Sequence, residues 1–147
     1  MKIIVDTNFV FSALLNPSGK ISELLLNSHP IFEFIAPDFL LDELDKHRNK
    51  LLKLSGYTKS DLAFLVRMVL KKVEIINLEI ISSEVWKESI EIASDIDEFD
   101  APFIALSLEA KSPLWTGDKK LINGLKNLGY PHALDTTELY QLRQKKE

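Results

Sequence analysis

Short apolar runs alternate with amphipathic segments along the chain, and this pattern predicts an α/β fold. The apolar runs, which we expect to form strands, lie at residues 2–5, 31–36, 73–78, 113–116 and 132–134. The segments with helical periodicity lie at residues 7–15, 19–28, 38–54, 58–71, 82–94, 100–111 and 119–128, and from Thr136 onward. Strands that alternate with helices form a parallel sheet covered on both faces, so we predict an α/β sandwich and a single domain over residues 1–147.

Residues that favour turns and caps separate several of these elements. Pro37 is expected to end the second strand, and Gly56 to end the helix that follows it. Thr58 is a candidate N-cap for the next helix, and Ser82 or its neighbour is a candidate for the helix after the third strand. The charged residues 143–147 are expected to fray.

Composition narrows the class of protein. Hydrophobic residues make up 46% and charged residues 27% of the chain, as in ordinary soluble globular proteins. The chain has no cysteine, which excludes disulfides and thiolate metal ligands and is compatible with a reducing compartment. No apolar run resembles a signal peptide or approaches the roughly 20 residues needed to span a bilayer. We therefore expect a cytoplasmic protein that does not bind membranes.

The net charge of −4 argues against a generic nucleic-acid binder, because such proteins are usually basic. The argument weakens if the acidic residues cluster around metal ions. Two divalent cations carry about +4 in total and would cancel the charge. Local basic patches would then still be able to hold a polyanion.

Two acidic residues follow predicted strands directly. Asp6 comes after the run at 2–5, and Asp118 comes just after the run at 113–116. Because sites in open parallel sheets form at the carboxyl ends of the strands, we expect these side chains to share a site. Carboxylates brought together repel one another unless a cation lies between them. The pattern therefore suggests a divalent metal site, of the kind that hydrolyses phosphodiesters.

Helical phase selects a third acid from the segment after the second strand. Glu43 falls at the edge of the arc formed by the leucines, whereas Asp42 and Asp45 fall on the opposite side. Glu43 is therefore the acid expected to point back over the sheet. An ordinary solvated helix acid explains this residue equally well.

The remaining candidates also have simpler explanations. Asp100 enters the first turn of a strongly apolar helix, where a carboxylate favours the helix N-terminus, and Asp97 belongs either to the site or to an acidic turn. Asp118 has a possible role as a helix cap. Thr116 is either a strand residue with a satisfied hydroxyl or a group that orients a carboxylate.

Four segments taken in order resemble the PIN domain family: VDTNFVFSALL, PDFLLDEL, DEFDAPFIALSLEA and LWTGDKKL. The similarity is greatest to the PIN-type toxin components of prokaryotic toxin–antitoxin systems. It implies a three-layer α/β/α sandwich around a parallel sheet of four to five strands, and a metal-dependent endoribonuclease. It assigns the catalytic acids to Asp6, Glu43, Asp100 and Asp118, an additional metal ligand to Asp97, and supporting roles to Asn8 and Thr116.

The resemblance also leads to expectations about the metal and the partners. We expect Mg²⁺ or Mn²⁺ among Asp6, Asp100 and Asp118, with Glu43 at a second or water-mediated position, since hard cations prefer oxygen ligands. Lys119 and Lys120 are candidates for phosphate contacts, although solvated lysines are common. The implied partners are RNA, an antitoxin protein and a second copy of the chain. Segments 21–26 and 62–70 would supply the homodimer interface, or simply pack in the core.

Two other functions remain open. A non-catalytic PIN-like module that binds RNA or protein would keep the fold and bind metal poorly. An aspartate-based phosphatase would use Asp6 as a phosphorylated nucleophile, but Asn8 stands where such enzymes often carry a second acid. Nucleotide binding is disfavoured because the chain has neither a GxxxxGK[ST] nor a GxGxxG motif.

Overall fold

A computed structural model describes residues 1–130 and 133–147, and it contains a five-stranded parallel sheet. The strands are β1 (Lys2–Val5), β2 (Glu33–Pro37), β3 (Val73–Ile76), β4 (Leu114–Trp115) and β5 (Ala133–Leu134). Their order across the sheet is β3-β2-β1-β4-β5, and every neighbouring pair is parallel. The strand β1 is therefore central, and β4 lies directly beside it.

Helices cover both faces of this sheet, which confirms the predicted α/β sandwich. They are α1 (Thr7–Leu15), α2 (Lys20–Asn27), α3 (Phe39–Lys46), α4 (Arg48–Ser55), α5 (Lys59–Leu70), α6 (Ser83–Ser94), α7 (Ala101–Ala110), α8 (Lys119–Asn127) and α9 (Thr136–Lys146). Short 3-10 turns at Leu78–Ile80 and Glu98–Asp100 precede α6 and α7. In the described part of the chain, no helix is both long and apolar enough to cross a membrane.

The central strand places consecutive side chains in two separate cores, because side chains alternate across a strand. Ile3 and Val5 pack against the layer that contains α1, α2, α5 and α9, whereas Ile4 packs against α6, α7 and α8. Both faces of β1 are thus apolar, which explains why its sequence is a continuous hydrophobic run. Burial of both faces leaves the ends of the strands as the places where polar side chains emerge.

An aromatic cluster fixes α1 against β4. The fully buried Trp115 stacks on Phe9 with ring centroids 4.4 Å apart, and its centroid lies 5.5 Å from that of Phe34. The indole Nε1 donates a hydrogen bond to Thr136 Oγ1 over 3.1 Å. This packing holds the first residues of α1 beside the end of β4, where the candidate acids lie.

Several predicted boundaries are confirmed by the backbone and its caps. Gly56 adopts a left-handed conformation (φ +72°) at the end of α4, which a glycine reaches without steric cost. Thr58 and Ser82 accept hydrogen bonds from backbone N–H groups in the first turns of α5 and α6. Local sequence therefore specified these helix ends.

Two boundary predictions are wrong. The single helix expected over 38–54 is two helices, which meet at His47 (φ −103°, ψ +9°). The spacing of the leucines continues through this kink, so the hydrophobic pattern does not reveal the break between the two helices. The second strand runs from residue 33 to Pro37 rather than over 31–36. Pro37 is the last residue of the strand, and the ladder continues past it through Asp38, whose N–H donates to Ile76 O over 2.9 Å.

The chain terminus also differs from expectation, because α9 continues to Lys146 instead of fraying from residue 143. Arg143 is buried, and its guanidinium donates to Ser28 Oγ (3.0 Å) and Glu23 Oε2 (2.9 Å) of the α2 region. These long-range bonds anchor the helix, and a charge-rich local sequence does not reveal them. The expected strand at 132–134 is observed at Ala133–Leu134, and residue 132 lies outside the described residues.

Candidate active site

Asp6 lies at the carboxyl end of the central strand, where its side chain has two partners. Its Oδ1 accepts a hydrogen bond from the Asn8 N–H over 3.2 Å and so caps α1. Its Oδ2 accepts from Thr116 Oγ1 over 2.7 Å. Asp6 thus acts as a helix cap and is also held by the neighbouring strand. Asn8 contacts Asp6 through its backbone N–H, and its own side chain is exposed.

Thr116 links the two acids that follow β1 and β4. The residue is fully buried, and its hydroxyl oxygen accepts from the Asp118 N–H over 3.2 Å while donating to Asp6. Gly117 follows, and a Cβ there would lie 3.2 Å from the Phe9 ring. The small residue lets the turn pass close to α1, and Asp118 emerges beside Asp6.

Asp118 and the two lysines after it are exposed at the start of α8. Asp118 Oδ1 accepts from the N–H groups of Lys120 (3.0 Å) and Leu121 (3.2 Å), as expected for an N-cap. Lys119 and Lys120 begin the helix on the solvent side. They are therefore the basic side chains nearest to Asp118 along the chain.

Glu43 extends from α3 toward the ends of β1 and β4. It is contacted by Thr7, which the sequence motifs did not single out. The buried Thr7 donates from Oγ1 to Glu43 Oε1 over 2.5 Å. Glu43 is half-buried, whereas Asp42 and Asp45 on the same helix are exposed, in agreement with the helical phase. Thr7 follows Asp6 directly. In the sequence, only this position just after a strand indicates a role beside the acids.

Asp100 ends the 3-10 turn before α7, and its environment is the least compensated of the set. Its Oδ2 is buried without a hydrogen-bond partner. Desolvation, followed by the charges of Asp6, Asp97, Asp118 and Glu43, raises the pKa of Asp100 to about 7. The other four predicted acids are therefore close enough to influence the Asp100 carboxyl group.

Asp97 is the most peripheral of the five acids. It is exposed, and its Oδ1 accepts from the Phe99 N–H over 3.0 Å, which caps the 3-10 turn. Its charge nevertheless contributes to the raised pKa of Asp100. The structure thus gives Asp97 a local structural role and also places it near the acids.

Burial and mutual repulsion raise the pKa of two further carboxyl groups. Desolvation raises the pKa of Asp6, and the Asp118 charge adds to this, while hydrogen bonds from Thr116 and Asn8 oppose it. Desolvation also raises the pKa of Glu43; Asp6 adds to the effect, and the Thr7 hydrogen bond opposes it together with His47 and Lys46. The site therefore carries negative charge that the protein only partly offsets.

These residues suit a hard divalent cation, although they do not form a closed cage. In residues 1–130 and 133–147, no three His, Cys, Asp or Glu side chains converge closely enough to hold a metal ion by themselves. Mg²⁺ commonly uses only one or two carboxylates and keeps several waters. The unpartnered Asp100 Oδ2 is a free oxygen ligand in an acidic environment. The oxygen donors of Asp6, Asp100, Asp118 and Glu43 therefore suit a partly hydrated divalent ion.

Comparison with known proteins places the chain in a family. A search of curated proteins returns no match. Among solved structures, a chain of the crystal structure of VapBC2 from Rickettsia felis bound to a DNA fragment from their promoter matches with a TM-score of 0.63. The two sequences are 15% identical, and the match covers 92% of this chain and 98% of the other, so it shows a shared fold. A family model for the PIN domain matches residues 4–145. This match spans nearly the whole sequence, and the chain therefore belongs to the PIN domain family.

Proposed function

We propose that this PIN domain is a Mg²⁺- or Mn²⁺-dependent endoribonuclease and the toxin component of a toxin–antitoxin system. The observation that carries the proposal is the buried, unpartnered Oδ2 of Asp100 among four other acids. Leaving a buried carboxylate oxygen without a partner costs free energy, and uncompensated groups of this kind are typical of functional sites. A cation that joins these acids to a phosphodiester is the simplest such reason.

The metal, when bound, would offset the charge of the scissile phosphate and activate water for attack. The residues of the chain hold that arrangement in place. Thr116 fixes the Asp6 carboxylate from the neighbouring strand, and Thr7 fixes Glu43 from the start of α1. Hydrogen bonds of this kind keep ligands oriented without reorganisation during the reaction. Lys119 and Lys120 would contact phosphates on either side of the cut.

The toxin assignment and the partners are supported by the family and by the matched structure. That structure, by its description, contains VapBC2 from Rickettsia felis and a DNA fragment from their promoter. We infer by analogy that this chain has an antitoxin partner and acts in the cytoplasm. We also infer a homodimer. Leu24, Leu25 and Leu62 of the two candidate segments are buried in the core, so the dimer would use the exposed Phe64 and Met68 of α5.

The test is Mn²⁺-dependent cleavage of single-stranded and structured RNA by wild type, Asp6→Asn and Asp100→Asn. Each variant is expected to lose on the order of 10²-fold or more in rate, since metal stabilisation of the transition state amounts to several kcal/mol. Asp95→Asn is the matched control, because Asp95 is an exposed acid close in sequence to Asp100. Unchanged cleavage by Asp6→Asn and Asp100→Asn would remove the acids from the mechanism.

The non-catalytic binding module is the second candidate, and one observation favours it. No three carboxylates in the described residues converge tightly enough to cage an ion. Calorimetric titration with Mn²⁺ separates the two proposals, because the nuclease requires heat of binding that Asp100→Asn abolishes. The phosphatase is disfavoured because Asn8 stands where such enzymes often carry a second acid.

A further inference from the structure

An apolar cavity of about 410 Å³ opens beside the acidic residues, and the nuclease chemistry described above does not use it. Its wall includes Trp86 and Ile90 of α6, Phe39 at the start of α3 and Phe99 of the 3-10 turn. Phe99 immediately precedes Asp100, and Ala101, which follows Asp100, also lines the cavity. The cavity and the candidate active site therefore share one short segment of backbone.

The cavity wall leaves large apolar side chains uncovered. Phe99 is 61% exposed and Ile90 is 58% exposed. Single exposed apolar residues are common, but two on the wall of one concave surface next to a candidate active site are typical of a ligand site. One polar side chain, the exposed Glu98, also lines the cavity. The ligand should therefore be flat and apolar on its faces, with hydrogen-bond donors on its edge.

Charge indicates what that ligand is. The chain carries a net charge of −4, and several carboxylates surround the point where a phosphate would have to bind. Phosphate contacts alone are thus a poor source of affinity for RNA at this site. Stacking of bases on aromatic side chains does not depend on charge and contributes substantially for each base. An exposed phenylalanine one residue from Asp100 is well placed to supply it.

We propose that this cavity binds one unpaired nucleobase of the RNA substrate, stacked on Phe99, next to the scissile phosphate. This inference rests on the proposed nuclease function. Glu98 accepts hydrogen bonds from the edge of the base. Guanine offers two adjacent donors, N1–H and N2–H, to a carboxylate. Uracil offers only N3–H, and the two carbonyl oxygens on either side of it repel a carboxylate. The cavity therefore prefers guanine to uracil.

Tryptophan fluorescence provides a direct test that requires no cleavage. Trp86 lines the cavity, while Trp115 is fully buried in the core, so a base that enters the cavity changes only the Trp86 signal. Wild-type protein is titrated with RNA tetranucleotides that carry one guanine or one uracil, in EDTA to prevent hydrolysis. Salt at about 0.5 M screens the repulsion between phosphates and carboxylates. Trp86→Phe should abolish the response.

Two variants separate stacking from hydrogen bonding. Phe99→Ala is expected to weaken binding of the guanine tetranucleotide by roughly 5- to 150-fold, the range measured when a stacking residue is truncated. Glu98→Gln should retain binding but remove most of a guanine preference of roughly 5-fold. Leu54→Ala is the matched control, because Leu54 is a large apolar residue of similar exposure (63%) that lies on α4 and does not line the cavity. It should bind as wild type.

The inference fails if Trp86 does not respond to either oligonucleotide, or if Phe99→Ala binds as tightly as Leu54→Ala. It also fails if Phe99→Ala leaves RNA binding intact and alters only the monomer–dimer equilibrium in sedimentation, which would make the cavity a contact between copies. The nuclease proposal is judged separately by Mn²⁺-dependent cleavage. A Trp86 response without RNA cleavage would support the base site and count against the nuclease proposal. RNA cleavage without a Trp86 response would support the nuclease proposal and count against the base site.

Discussion

Thr116 Oγ1 donates a hydrogen bond to Asp6 Oδ2 over 2.7 Å, although the two residues are 110 positions apart in the chain. The bond joins the ends of β1 and β4, and it holds one carboxylate oxygen of the central acid. It also lowers the pKa of Asp6 against the opposing effect of burial. The hydroxyl therefore keeps Asp6 closer to the ionised form that a cation requires.

Replacement of Thr116 by valine should weaken metal binding without unfolding the protein. Valine keeps the shape but leaves Asp6 Oδ2 without its partner, which costs about 1–3 kcal/mol of stability. We expect the Mn²⁺ affinity measured by calorimetry to fall by roughly 10- to 100-fold, with a parallel loss of cleavage. Thr116→Ser should restore both. If valine and serine bind Mn²⁺ equally, the hydroxyl has only a structural role.

The stability of the metal-free protein should fall as the pH rises toward neutrality. The pKa of Asp100 is about 7 in the folded chain against an ordinary value of 3.8, so between these values the folded state binds more protons than the unfolded state. Stability then decreases with increasing pH across this window and changes little above it. Asp100→Asn should make this decrease smaller, leaving the part due to the raised pKa values of Asp6 and Glu43, and should melt above wild type at pH 8 in EDTA. Asp95→Asn, the exposed control, should follow the wild-type pH curve.

Mn²⁺ should raise the melting temperature most strongly above pH 7. A ligand at 100 times its Kd stabilises the folded state by about 2.7 kcal/mol, which corresponds to roughly 5–10 °C for a domain of this size. At pH 5 the increase should be smaller, because protons compete for Asp100. Thermal melts at both pH values, with NaCl at matched ionic strength as the control, measure the difference. An equal increase at both pH values would contradict a role for Asp100 in binding.

Glu43 and its neighbour Asp42 form a matched pair on α3. Glu43 accepts from Thr7 and faces the acids, whereas Asp42 is exposed to solvent. Glu43→Gln should reduce the Mn²⁺-dependent cleavage rate by about 10-fold or more, since the amide keeps the hydrogen bond but loses the charge. Asp42→Asn should cleave as wild type. Equal losses in both variants would indicate a general effect of charge on α3 instead of a specific role for Glu43.

The amino-acid sequence by itself determined the order of strands and helices, because hydrophobic periodicity and caps are local properties. Gly56, Thr58 and Ser82 mark helix ends through their own backbone preferences and hydrogen bonds. The same local pattern put Asp6 and Asp118 just after two strands of a predicted parallel sheet, and helical phase chose Glu43 over Asp42. Asp100 and Asp97 were already candidates from their positions before the apolar helix, and similarity to the PIN family assigned them roles.

The tertiary structure alone decided which side chains meet. The contacts Thr7–Glu43 and Thr116–Asp6 join residues that are distant in sequence, and no local pattern encodes their distances. The buried Oδ2 of Asp100 depends on what packs around it, and the anchoring of α9 by Arg143 depends on α2 lying beneath it. Periodicity reports which face of an element is apolar; packing between elements sets the burial, the hydrogen bonds and the charge that each functional group experiences.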